Sequence, residues 1–94
     1  MEEPMSSPFK TWLNHLPSAR EKFFVLRHEG KWKIRYNGQL FGPYLIPGEA
    51  VLTAMRKASR AGQLGGGAQV FVQAQAGEFK LAWTYGLDPE PVPD

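Results

Sequence analysis

The chain has no cysteine. That excludes a disulfide framework, a thiol nucleophile and any cysteine-ligated zinc site together. It has only two histidines, His15 and His28, and they stand in no ligand spacing. No apolar run approaches the ~18 residues of a membrane-crossing helix. The first residues, Met1-Glu2-Glu3-Pro4, have neither the basic nor the apolar region of a secretory leader. These absences predict a cytoplasmic protein with no membrane partner. Nucleophile-elbow, zinc-protease and acidic calcium-loop motifs are all missing, and Glu29, Glu49 and Glu78 are isolated rather than paired. The expectation is therefore a non-enzyme, with no catalytic residue, metal site or cofactor.

What is present is enough apolar material for one core. The 94 residues are 43% hydrophobic, with three Trp, three Tyr and six Phe. A chain of this length makes one globular domain that buries roughly two-thirds of its unfolded surface. The net charge is only +2, but it is unevenly spread. Residues 20–60 hold nine bases against three acids, while residues 1–19 and 61–94 are each net acidic. A basic middle between acidic ends can attract an anionic partner or serve as an ordinary solvated surface.

Periodicity divides the chain further. Ser7 suits a helix N-cap and Pro8 the first helical position. Phe9, Trp12, Leu13 and Leu16 then fall on one helical stripe, which Pro17 ends. A helix of about nine residues does not hold alone in water, so this stripe has to be buried, either on its own sheet or on a partner. Lys22–His28 reads as a strand. Lys31–Asn37 alternates, with Trp32, Ile34 and Tyr36 on one face and Lys31, Lys33 and Arg35 on the other. Asn37-Gly38 is a type I′ hairpin signal. Gln39–Tyr44 returns as a strand that Pro43 confines to a sheet edge.

After Pro47-Gly48 comes the main helix, Glu49 to Ala61, with Ala50, Val51, Ala54, Met55 and Ala58 as its apolar stripe and Gly62 as its stop. Gly65-Gly66-Gly67 follows a helix and precedes a strand. That is the reverse of a phosphate cradle, and it reads as a connector. Gln69–Gln75 and Glu78–Tyr85 form a last hairpin, whose second strand puts Phe79, Leu81, Trp83 and Tyr85 on one face, assigned to the core. The fold class is α+β: an antiparallel sheet of about five strands, β-β-β-α-β-β, one main helix on one face and a short N-terminal helix. Residues 1–21 form an extension, 22–86 the domain and 87–94 a Pro-rich tail.

The stretch from about Phe24 to Pro89 resembles the small bacterial family catalogued as domain of unknown function 2188. The likeness rests on Gly30-Lys31-Trp32-Lys33-Ile34, Glu49-Ala50, Val70-Phe71-Val72, Gly77 and the closing Tyr85-Gly86-Leu87-Asp88-Pro89. The chain departs from it in having Ile46 where the family has a capping Thr, a longer glycine loop, and the segment 1–21. The resemblance implies the fold and carries no activity.

What remains is binding. The first expectation is a non-catalytic interaction module for a protein partner or a second copy, with Phe9, Trp12, Leu13 and Leu16 at a homodimer or partner interface. The alternative is nucleic-acid binding through Arg27, Lys31, Lys33 and Arg35. Sheet-based binders also show aromatics for base stacking, and here the outer-face candidates are Phe71 or Phe23.

Overall fold

Two consecutive residues with positive φ close each of the first two hairpins. Glu29 and Gly30 have φ of 56° and 77°, and Asn37 and Gly38 have 51° and 76°. This is the handedness that matches the right-handed twist of the strands on either side. The computed structural model describes residues 20–92. The predicted helix carrying Phe9, Trp12, Leu13 and Leu16 lies outside them. The hairpins join β1 (Glu21–His28), β2 (Lys31–Tyr36) and β3 (Gln39–Tyr44). Then come α1 (Pro47–Ala61), a wide turn at Gly62–Gly66, β4 (Ala68–Gln73) and β5 (Phe79–Thr84).

The spatial order is β3-β2-β1-β4-β5, which corrects the expected antiparallel sheet. It is mixed, because β4 lies beside β1 and parallel to it, with Phe23 opposite Val70 and Phe24 opposite Phe71. The other three pairings are antiparallel. A parallel neighbour requires a long crossover. Here α1 supplies it, carrying the chain from edge strand β3 over β2 to the far side of β1. Strand β1 carries apolar side chains on both faces, Phe23 and Val25 toward the helix and Phe24 and Leu26 away from it, which gives the unbroken Phe23-Phe24-Val25-Leu26 run. Pro43 sits on edge strand β3, as its missing N–H requires.

Helix α1 begins two residues earlier than predicted, with Pro47 at its first position. Ile46 gives no side-chain cap. Instead the Glu49 carboxylate accepts the Leu45 N–H at 3.2 Å. Ala50, Ala54 and Ala58 are fully buried at every fourth position. Side chains this small bring the helix close to the sheet, where Phe23, Val25, Ile34, Val70 and Trp83 complete the core. Val51 and Met55 pack on its flank.

Gly62 caps the end of α1 as expected, but without a left-handed backbone. Its φ of −63° is helical, and the first positive φ comes at Gly65, at 101°. Gly62 is required for another reason: a Cβ there would lie 2.3 Å from Cγ of Tyr85. Gly86, by contrast, has the positive φ that turns the chain off β5. The tail then runs back over α1. Trp83 Nε1–H donates to the Pro89 carbonyl at 2.8 Å, Ser59 donates to Glu90, and Arg56 Nε–H donates to the Val92 carbonyl at 2.8 Å.

Candidate docking face

Alternation along β1 puts Phe23 and Val25 under the helix, so Phe24 and Leu26 point to the opposite face of the sheet. Among the described residues α1 is the single α-helix, and it packs on the Phe23 side. The other face carries a row across all five strands. Leu40 pairs with Arg35, Arg35 with Phe24, Phe24 with Phe71, and Phe71 with Leu81. At about 4.8 Å per strand the row is roughly 19 Å long. Its ends are open, with Leu40 42% and Leu81 53% exposed. Beside it Phe79 pairs with Gln73 and Leu26 with Lys33.

The rings hold each other upright. Phe24 and Phe71 stack with centroids 5.2 Å apart, and Phe79 meets Phe24 edge-on at 5.2 Å. The Arg35 guanidinium lies over the Phe24 ring at 5.2 Å. Because β1 runs between β2 and β4, Phe24 has Arg35 on one face and Phe71 on the other.

Two corrections follow for residues assigned from the sequence. Phe79 and Leu81 are not core residues. The pairing of β4 with β5 shifts between Val70 and Phe71, so Val70 faces Trp83 while Phe71 faces Leu81. Ala82 is the extra residue of a β-bulge, and beyond it the strand's faces are exchanged. Trp83 and Tyr85 stay on the helix side, Trp83 at 2% exposure and Tyr85 packed against the core. The other correction concerns Phe23, which is 2% exposed and stacks on Tyr36 at 4.1 Å, so of the two proposed outer aromatics only Phe71 is one.

The basic row is also thinner than predicted. Arg27 pairs with Trp32 and lies over its ring at 5.6 Å, on the helix side of the sheet and apart from the other three. Lys33 is drawn to its own neighbours: Nζ is 3.2 Å from His28 Nδ1 and 4.0 Å from Glu29. Lys31 and Arg35 are exposed. Phe24, Phe79 and Leu81 were missed as face residues. Phe24 was legible, since it must oppose Phe23, but the bulge that turns out Phe79 and Leu81 leaves no trace in the alternation.

On the helix side an open cleft of about 300 Å³ lies between α1 and the β2–β3 hairpin, lined by Phe23, Tyr36, Phe41, Lys57, Arg60, Ala61 and Leu64. Lys57 Nζ sits 4.7 Å over the Phe41 ring. The Tyr36 hydroxyl donates to Glu21, which holds the phenol's pKa above its ordinary value of 10. Burial and the nearby Glu49 charge raise that of Tyr44.

The glycine loop meets the start of β1 through two carbonyls. The Gly66 and Gly67 carbonyls accept from Arg20 and Glu21 at 3.0 and 3.3 Å, an arrangement that anchors the start of β1. Among the described residues no three His, Cys, Asp or Glu converge as a metal site, and no helix is long and apolar enough to cross a membrane. No protein-family model, curated protein or solved structure matches the chain.

Proposed function

We propose that this protein is a non-catalytic interaction module, that its working surface is the sheet face opposite α1, and that the partner is a protein segment with an apolar stripe and acidic flanks. The observation that carries the reading is the row Leu40–Arg35–Phe24–Phe71–Leu81, apolar except for one cation and open at both ends. Exposed apolar surface that is contiguous rather than scattered marks an interaction site. Arg35, exposed within the row, favours acidic groups on what docks there.

The same geometry ranks a protein above a nucleic acid. A base stacks on a free ring face, and Phe24 has both faces taken, by Arg35 and by Phe71. Of the four bases proposed as phosphate contacts, Arg27 is on the other side and Lys33 is engaged by His28 and Glu29.

The test is an isotope-labelled sample titrated with an acidic amphipathic helical peptide and, separately, with a thymidine oligonucleotide. The peptide should shift the amide signals of Phe24, Phe71, Phe79 and Leu81 and leave those of Val51 and Met55 in place. Shifts confined to the helix side, or none at about 1 mM peptide, the weak end of ordinary recognition, would overturn the reading. So would an oligonucleotide that shifts the same signals and loses its effect with salt, which would assign the face to phosphate binding.

A further inference from the structure

We infer that the resident occupant of this face is the chain's own residues 1–19, so that an external partner has to displace them. The inference rests on the docking-face reading above and adds its regulation. Two surfaces in one chain each need a cover. One is the stripe Phe9, Trp12, Leu13 and Leu16, which is too short to hold as a helix in water. The other is the Phe24–Phe71–Leu81 row.

Their lengths and tether agree. From Phe9 to Leu16 a helix rises about 10 Å, which fits within the ~19 Å row. Only residues 17–20 separate the stripe from β1, which starts at Glu21, and four residues reach at most about 13–14 Å. Phe24 is three residues into β1, about 10 Å along it. The charges agree as well: Glu2 and Glu3 precede the stripe, while the row holds the exposed Arg35. A tether this short gives an effective concentration on the order of millimolar. The chain's own stripe therefore fills the face before a second copy does at ordinary protein concentrations.

The absence of cysteine allows one label to be placed without background. Ser6→Cys with a nitroxide spin label in the full chain should broaden the amide signals of Phe71, Phe79 and Leu81 and spare Lys57 and Leu64 in the helix-side cleft. Broadening at the cleft instead, or nowhere beyond β1, would overturn the inference. Mixing labelled, isotope-free chains with unlabelled, isotope-enriched chains separates the two sources of the stripe. Broadening in that mixture would make a second copy the occupant and would also overturn it.

A second arm reads displacement. If the segment covers the face nine-tenths of the time, the double substitution Trp12→Ser and Leu13→Ser should tighten binding of the acidic amphipathic peptide about tenfold. Equal affinity for the two proteins would refute self-occupancy while leaving the docking face intact. A peptide that binds neither protein would sink the docking face, and self-occupancy with it.

Discussion

Gly62→Ala sets two effects of known sign against each other. The backbone at Gly62 is helical, with φ −63° and ψ −35°. Helix propensity alone makes alanine there better by about 1 kcal/mol. The Tyr85 ring opposes it. A Cβ at this position would stand 2.3, 2.5 and 2.6 Å from three ring carbons, and ordinary contact begins near 3.4 Å. The ring has to retreat by about 1 Å, a shift of the size that costs 1–3 kcal/mol in an overpacked core. Retreat also disturbs the edge-on contact of Tyr85 with Trp83, now at 6.3 Å and 62°, worth about 0.5–1.5 kcal/mol. The clash wins, and the expected net loss is about 2 kcal/mol.

Urea unfolding of the four proteins of a double-mutant cycle measures this directly. With Tyr85 cut back to Ala the clash is gone, and Gly62→Ala should then stabilise by up to about 1 kcal/mol. The sign reversal corresponds to a coupling of about 3 kcal/mol, at the upper end for residues in contact. If Gly62→Ala is neutral or stabilising in the parent chain, or the coupling is below about 0.5 kcal/mol, the glycine is not there to admit the ring.

Trp83→Ala should cost about 3–5 kcal/mol in the same assay, as the truncation of a core aromatic. A loss below about 1 kcal/mol would refute its placement under the helix. Trp83→Phe should keep most of that packing yet free the tail, since the Pro89 carbonyl loses its donor; faster amide exchange after Asp88 is the readout. For Tyr36, the Glu21 hydrogen bond favours the protonated phenol, so the folded pKa exceeds that of the unfolded chain. Above pH ~10 the unfolded state then releases its proton first, and stability falls as pH rises through the folded pKa. Glu21→Gln should bring the phenol's ultraviolet titration back toward its ordinary range, and an unchanged curve would show that Glu21 is not the cause.

How far the sequence could be read depends on which interactions write a period into it. Lys31–Tyr36 has one face buried and one wet, so its pattern states the faces outright, and the structure agrees for Trp32, Ile34 and Tyr36. The alanine stripe of α1 is legible for the same reason. Strand order is not local, and the hairpins on either side of α1 give no hint of where the second one lands. Only the unbroken Phe23–Leu26 run carries that information, because a central strand with apolar side chains on both faces loses its alternation.

The bulge in β5 is the harder case, and it yields a sharp test. Glu78–Tyr85 alternates cleanly, yet Ala82 is unpaired and exchanges the faces of everything before it. If alternation governed the strand, deleting Ala82 would swing Phe79 and Leu81 out of the core and cost several kcal/mol. In this structure they already face outward, and deletion merely turns Leu81-Trp83 into adjacent positions of a regular strand. Trp83 keeps its place opposite Val70, and Leu81 stays opposite Phe71. The deletion is therefore expected to cost no more than about 1–1.5 kcal/mol in urea unfolding, with the Trp83 fluorescence maximum unmoved; surface changes that leave packing intact cost little. A loss above about 3 kcal/mol, the range of a large core truncation, would mean that Phe79 and Leu81 are inside after all. The docking row would then lose its β5 end.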